Sequence, residues 1–172
     1  NIRLDSYSYE ITSGDGDDVL NPGDSFNLTV NISNEEGWAA ANNLNINLSC
    51  SNESVILSDS SFDLDILNSG QSTFNSVPLG VQLGSDIDLN DVMFSINVTA
   101  IGSDNYMYNE SLSFSIPVSL MQSGFPYDTN SQVSSGPLLV DLDLDGSLEI
   151  IFGDYTGLVH ILKNDGSPID SN

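Results

Sequence analysis

Apolar and polar side chains alternate with a two-residue period over much of the chain. In residues 26–33, polar residues separate Phe26, Leu28, Val30 and Ile32. This alternation is typical of a strand with one face in the core and the other in water. Helical periodicity is almost absent, and the same alternation recurs at 44–50, 62–67, 92–101 and 112–118. The chain is therefore predicted to be all-β, with antiparallel strands.

Turn-forming residues separate these segments, as in "NPG" (21–23), "NEEG" (34–37) and "SG" (69–70). Such residues either adopt positive φ or hydrogen-bond to their own backbone, so they end strands. About seven half-buried strands within one domain are typical of an immunoglobulin-like β-sandwich. The pattern predicts a sandwich over residues 1–120.

The pattern changes after Leu120. Residues 121–136 are rich in Ser, Gly, Pro and Asn and are predicted to form a linker. The following runs "PLLV", "LEIIF" and "LVHIL" are continuously apolar, which is typical of strands buried on both faces. Residues 137–172 are therefore predicted to form a separate three-stranded unit.

The first loop of this unit, "DLDLDGSLE" (141–149), carries alternate carboxylates. Alternate spacing lets a tightly curled backbone turn its carboxylates inward, and Gly146 permits the sharp bend. A cation that prefers oxygen ligands, calcium above all, suits such a set. The predicted ligands are the side chains of Asp141, Asp143, Asp145 and Glu149 and the main-chain carbonyl of Ser147.

The loop has two other interpretations. An EF-hand is excluded because its twelfth position requires a bidentate Glu, whereas this chain has Phe152 there, and because the flanking segments are strands. A solvated acidic turn without metal is the alternative. Close carboxylates repel one another unless a cation neutralises them, which favours the calcium loop.

The stretch "SSGPLLVDLDLDGSLEIIFGDYTGLVHILKNDGSPI" (134–169) resembles one repeat of the FG-GAP/VCBS family, the integrin-like β-propellers. The resemblance implies a partial propeller blade and places the family's calcium ligands on the five residues named above. Leu144 stands where the family often has glycine. Only one repeat is present, and a propeller requires several blades. The unit is therefore expected either to belong to a longer protein or to dock its edge onto another chain.

A second acidic loop lies near the start, in "SGDGDDVLNPGDSF" (13–26). It resembles the hairpin that opens immunoglobulin-like modules of secreted bacterial proteins. A turn made rigid by Pro22 and Gly23, without metal, is the alternative. The predicted ligands are Asp15, Asp17, the carbonyl of Val19 and Asp24, with Asp18 or Asn21 as substitutes.

The chain has 25 acidic and two basic residues, a formal net charge of −23. Such a surface repels nucleic acid and anionic membranes, and no apolar run approaches the roughly 18 residues of a membrane helix. Neither partner is expected. The acidity indicates either bound divalent cations or adaptation to a saline medium. His160, the only histidine, lies in an apolar run, where packing is a better explanation than catalysis.

Together these features predict a non-catalytic, calcium-binding extracellular module of a larger secreted or cell-surface bacterial protein, with an architectural, adhesive or ligand-presenting role. Millimolar extracellular calcium fills weak sites that resting cytosol leaves empty. One alternative is an accessory domain of a secreted peptidase or polysaccharide-degrading enzyme. Another is a self-assembling surface or fibre subunit that uses an open edge of the three-stranded unit. Expected partners are calcium ions, other domains of a longer parent chain, and a surface protein or glycan ligand.

Overall fold

A computed structural model describes residues 1–102, 105–122 and 124–169. Within these residues the chain is all-β, with twelve strands, no helix, and antiparallel pairing throughout. The prediction of an all-β protein is confirmed. The strands form three sheets, none of which closes into a barrel in the part described. The chain divides into two compact units, Asn1–Leu120 and Met121–Asn172.

The first unit contains two of the sheets. One has the order β1-β2-β7-β4, with β6 also paired to β2, and the other has the order β5-β3-β8-β9. The strands are β1 (Ile2–Ser13), β2 (Ser25–Asn34), β3 (Ala41–Cys50), β4 (Val55–Leu57), β5 (Ser61–Leu67), β6 (Ser72–Phe74), β7 (Leu79–Leu83), β8 (Asp91–Ile101) and β9 (Met107–Pro117).

The two sheets share one hydrophobic core. Every second residue of β2 and β8 is buried, and so are Leu44, Ile46 and Leu48 of β3, because successive side chains of a strand point to opposite faces. Phe26 of the first sheet contacts Phe94 of the second with ring centroids 6.5 Å apart, and Phe94 stacks on Phe114 at 5.5 Å. Aromatic rings of this size contribute much of the apolar area that a core removes from water.

The longest strand, β1, departs from simple alternation. Its pairing with β2 is shifted between Leu4 and Ser6 and again between Ile11 and Ser13. Each shift inserts an extra residue and so changes which positions face the core. Past the first shift, Tyr7 lies opposite the buried Val30. The two-residue pattern of the sequence is broken there, and the sequence therefore did not indicate this strand.

The second unit is built on a three-stranded antiparallel sheet of order β10-β11-β12. Its strands are β10 (Leu138–Val140), β11 (Glu149–Gly153) and β12 (Val159–Leu162). The prediction that these continuously apolar strands are buried on both faces is wrong for the unit as described. Leu138 and Leu139 are 59% and 58% exposed, and Val159 is 67% exposed.

Two residues of the predicted linker, Tyr127 and Val133, contact this sheet. Tyr127 contacts Phe152 and His160 with ring centroids 6.3 Å and 5.7 Å away, and those two rings stack at 5.1 Å. Val133 forms a β-bridge with Asp154. An aromatic cluster therefore covers one face of the sheet and ties the Pro- and Ser-rich segment to it.

Substitution of Phe94 should test the shared core. Because Phe94 is fully buried between the two sheets, Phe94→Ala is expected to lower the free energy of unfolding by about 3–5 kcal/mol. The neighbouring Met93 is 56% exposed, so Met93→Ala should change it by only about 0.5 kcal/mol. Denaturant unfolding followed by circular dichroism measures both. Equal losses in the two variants would contradict the assignment of the core.

Candidate metal centre

The acidic loop of the second unit joins β10 to β11. Val140 pairs with Glu149 at the end of this hairpin, so Asp141 leaves β10 where Glu149 enters β11. The register of the two strands thus brings together two residues that are eight positions apart in sequence. The curl of the loop between them returns Asp143 to the same place.

Asp141, Asp143 and Glu149 each direct a carboxylate oxygen into one cluster, with these atoms within 4.8 Å of one another. Glu149 is only 2% exposed, Asp141 is half-buried and Asp143 is exposed. Among the residues that the structure describes, no other group of three acidic, His or Cys side chains is gathered in this way. Three carboxylates at this separation repel one another unless a cation lies between them.

Main-chain amides donate hydrogen bonds to some of the carboxylate oxygens of this cluster. The amide of Leu142 donates to Glu149 Oε2 at 2.7 Å, and the amide of Gly146 donates to Asp141 Oδ2 at 3.1 Å. The other oxygen of Asp141, Oδ1, is buried and has no hydrogen-bond partner. A buried polar atom is costly without a partner, so a group that binds Oδ1 would stabilise the loop.

Two residues in the loop have left-handed backbone conformations. Gly146 has a φ of 94°, which glycine adopts without steric cost. Leu144 has a φ of 63° and an 85% exposed side chain. This conformation costs a leucine roughly 1–2 kcal/mol, so the loop holds Leu144 against its intrinsic preference.

The other two predicted ligands of this loop have different surroundings. Asp145 is exposed and is not in the cluster of three; its Oδ1 accepts a hydrogen bond of 2.7 Å from the amide of Ser147. Asp145 therefore braces the turn in this conformation. Coordination through the Ser147 carbonyl stays a prediction.

The donor set fits a hard cation. All three clustered side chains offer oxygen, which calcium and magnesium prefer, and the unpartnered Asp141 Oδ1 supplies a free ligand atom. Asp141, Asp143 and Glu149 would hold the ion. A bound divalent cation would neutralise the local negative charge and join β10 to β11.

The acidic loop near the start is organised differently. Asp15 accepts a hydrogen bond from the amide of Asp17, and Asp17 accepts one from the amide of Val19. The Val19 carbonyl accepts a hydrogen bond of 2.8 Å from the side-chain amide of Asn21. Each of these contacts connects residues two positions apart and stabilises a turn.

Asp24 is 4% exposed and is the most buried acid of this loop. Its Oδ2 accepts a hydrogen bond of 2.9 Å from the Asn21 amide, and its carboxylate lies against Gly14. A Cβ on Gly14 would come within 2.7 Å of Asp24 Oδ1, so this packing requires glycine. The carboxylates of this loop do not form a group of three within 4.8 Å. A metal site there stays a prediction.

A second acidic side chain organises the next turn of the same unit. One oxygen of Asp154, Oδ1, accepts hydrogen bonds from the amides of Thr156 and Leu158 and from the Thr156 hydroxyl. The other, Oδ2, lies 3.0 Å from His160 Nε2. The sequence did not indicate this pairing, although an Asp two positions before a Thr is a recognisable turn signal.

These contacts affect the acidity of Asp154. The Thr156 hydroxyl, followed by His160, holds the pKa of the Asp154 carboxyl well below its usual range. The His160 side chain is 11% exposed and is packed on Phe152. The pair closes the turn between β11 and β12 and fixes the orientation of the imidazole ring.

Comparisons with known proteins add little to this description. No protein-family model matches the chain, and no curated protein matches it. Among solved structures, the crystal structure of Spo0M, a sporulation control protein from Bacillus subtilis, is similar with a TM-score of 0.33 and 13% sequence identity. The match covers 91% of this chain and 72% of that chain. A TM-score of this size does not establish a shared fold.

The described residues include no helix of a length and apolarity suited to crossing a membrane.

The turn at Asp154 should make stability depend on pH. Because the folded-state pKa lies below the unfolded value of about 4, this carboxylate stabilises the fold above pH 4. That stabilisation is lost as the pH falls through the folded-state pKa. Asp154→Asn should therefore be less stable than the wild type at neutral pH, and the difference should shrink in strong acid. Urea unfolding followed by NMR signals of β11 and β12 measures this.

Thr156→Val removes the strongest contributor to the lowered pKa, so the loss of stability should begin at a higher pH in this variant. A difference between Asp154→Asn and wild type that stays constant with pH would contradict this role of Asp154.

Proposed function

We propose that this chain is a non-catalytic, calcium-stabilised module of a larger secreted or cell-surface protein. Its role would be architectural, with calcium as the component that orders the hairpin of the second unit. The observation that carries the proposal is the buried Asp141 Oδ1, which has no hydrogen-bond partner and lies in a cluster of three carboxylates. A cation satisfies both the unpaired oxygen and the excess negative charge.

Calcium is favoured over magnesium by the irregular arrangement of the ligands. Calcium accepts six to eight oxygen ligands in irregular arrangements, whereas magnesium requires near-ideal octahedral geometry and keeps several waters. The cluster combines a buried Glu149 with an exposed Asp143 on a loop, which is an irregular set. Asp145 and the Ser147 carbonyl would complete it after a small movement of the turn.

The finer fold assignment is part of this proposal. Two antiparallel sheets over one core support an immunoglobulin-like sandwich in the first unit. The three-stranded sheet with its acidic hairpin supports a partial blade of the FG-GAP/VCBS type in the second. Leu144 adds to this support, since it has a positive φ where that family often has glycine.

Exposed apolar side chains support a place in a longer protein. Leu138, Ile151 and Ile161 lie opposite one another on neighbouring strands and form an apolar row across one face of the sheet. Leu138 at the end of this row is 59% exposed, whereas Ile151 and Ile161 are half-buried. Apolar groups in such a row are usually covered by another domain or subunit. Further domains of a parent chain are the partners that the resemblance implies.

An extracellular location follows from the proposed ion. Extracellular calcium is millimolar and fills weak sites, whereas resting cytosolic calcium does not. The charge of −23 agrees with calcium-rich or saline surroundings, where ions screen repulsion among surface carboxylates.

The proposal is tested by hydrogen exchange on the intact chain, with EDTA or with millimolar calcium or magnesium. Calcium should slow exchange in residues 138–162 and leave β2, β3 and β8 unchanged, because binding stabilises only the unit that holds the ion. Isothermal titration calorimetry in parallel should detect binding. No calcium-dependent protection of residues 138–162 would contradict the proposal.

Asp143→Ala should abolish the calcium-dependent protection. The matched control is Asp128→Ala, which also removes one exposed carboxylate from the second unit. Both Asp128 and Asp143 accept a hydrogen bond from the amide two residues later, so the variants lose similar turn contacts. The control should respond to calcium like the wild type, and an equal loss in both variants would indicate a nonspecific charge effect.

A further inference from the structure

The sheets of the first unit end in strands that differ in how well they are protected against pairing with another chain. An exposed edge offers unpaired amides and carbonyls, and proteins protect it with short strands, bulges, charges or proline. In the first sheet, β4 and β6 have three residues each and β1 contains two irregularities. In the second sheet, β5 carries Asp63 and Asp65. These four strands are all poor templates.

The remaining edge strand, β9, has none of these protections over most of its length. It pairs with β8 in continuous register over eleven residues, without a bulge. Its one charged residue, Glu110, is on the half-buried side, where it accepts a hydrogen bond from the Tyr108 hydroxyl. Its only proline, Pro117, is the last residue of the strand.

The direction of the main-chain groups of β9 follows from its register. Gly102 donates to the Tyr106 carbonyl, and Val118 donates to the Asn90 carbonyl, in line with the β8–β9 pairing. Residue pairs in an antiparallel ladder alternate between hydrogen-bonded and non-hydrogen-bonded. The amides and carbonyls of the even-numbered residues of β9 therefore bond to β8, and those of the odd-numbered residues point away from it. In agreement, the carbonyl of Ser115 accepts a hydrogen bond of 2.7 Å from the Tyr7 hydroxyl across the edge.

The open part of the edge therefore consists of the amides and carbonyls of Met107, Asn109, Ser111 and Ser113. No described strand pairs with them. The side chains at these positions are exposed and uncharged. In a chain with a net charge of −23, an uncharged edge of this length is a place where two copies can meet without opposing carboxylates.

We propose that two copies of this chain associate through β9, edge to edge and antiparallel, and so join their four-stranded sheets into one continuous sheet. The two-fold axis would pass near Ser111. Each Ser111 would then exchange hydrogen bonds with Ser111 of the second copy, and Asn109 with Ser113 of the second copy, giving about six main-chain hydrogen bonds. Glu110 would face Leu112 of the second copy, so no like charges lie directly opposite.

This inference concerns the first unit and does not depend on calcium binding by the second. The same strand on both sides makes the contact self-complementary, which favours a second copy over an unrelated strand. The net charge opposes association at low ionic strength. Repulsion is screened beyond about 8 Å at physiological salt, so the dimer should strengthen from low to physiological salt.

Sedimentation velocity on the intact chain tests the proposal, with protein up to about 1 mM at physiological salt. Wild type should show a reversible monomer–dimer equilibrium. Ser111→Pro removes an outward-pointing amide and leaves the bonds to β8 intact, so it should weaken dimerisation at least about tenfold. A strictly monomeric wild type would overturn the proposal.

Ser61→Pro is the matched control, since Ser61 begins the opposite edge strand and its amide points away from β3. The amide of Leu48 donates to the Ser60 carbonyl, which places the bonded positions of β5 at even numbers. This variant should dimerise like wild type, and equal weakening in both proline variants would overturn the proposal.

If Ser111→Pro lowers the melting temperature, the double variant Ser111→Asp with Ser113→Asp replaces it. These side chains are exposed, so the fold should persist, and the added charges give β9 the protection that β5 has. The double variant should be monomeric at every concentration, and a dimer as strong as that of wild type would overturn the proposal.

Discussion

The first unit depends on the alternate burial of side chains along β2, β3 and β8. Each of these strands has neighbours on both sides and buries alternate apolar residues in the same core, with one irregularity in β3 between Asn42 and Asn45. A shift of one residue in the pairing would exchange the buried and exposed faces of a strand, so the apolar pattern specifies the register. The edge strands are positioned by this central set and tolerate irregularity, as the two shifts in β1 show.

The second unit depends on a different constraint, the accumulation of negative charge where a hairpin closes. The pairing of Val140 with Glu149 forces acidic residues together at the start of the loop. The amides of Leu142, Asp145 and Gly146 donate to this cluster, but Asp141 Oδ1 has no partner. At the next turn the protein's own groups neutralise or bind the acidic side chain. Thr156, Leu158 and His160 provide partners for both oxygens of the Asp154 carboxylate. The contrast between these two aspartates is the physical basis for proposing a cation at the first.

The distribution of charge connects stability with association. The outward-facing side chains on β3 and β8 are largely Asn, Ser and Thr, whereas many of the carboxylates lie in loops. Carboxylates in loops can turn back to nearby amides, as Asp15, Asp17 and Asp145 do, at little cost to the sheets. Strand edges without charge are then free to pair with other strands. An acidic protein can therefore carry a neutral contact surface.

The sequence by itself determined the all-β class and the positions of the most regular strands, because a two-residue period leaves one face of each strand apolar. It also indicated Asp141, Asp143 and Glu149 among five predicted ligands, whose spacing reflects the curl of a single short loop. Only the tertiary structure showed the bulged β1, the packing of Tyr127 on Phe152 and the pairing of Asp154 with His160. Those contacts depend on which residues the folded chain places side by side. Local patterns do not carry that information, since it comes from strand register and from the packing of separate segments.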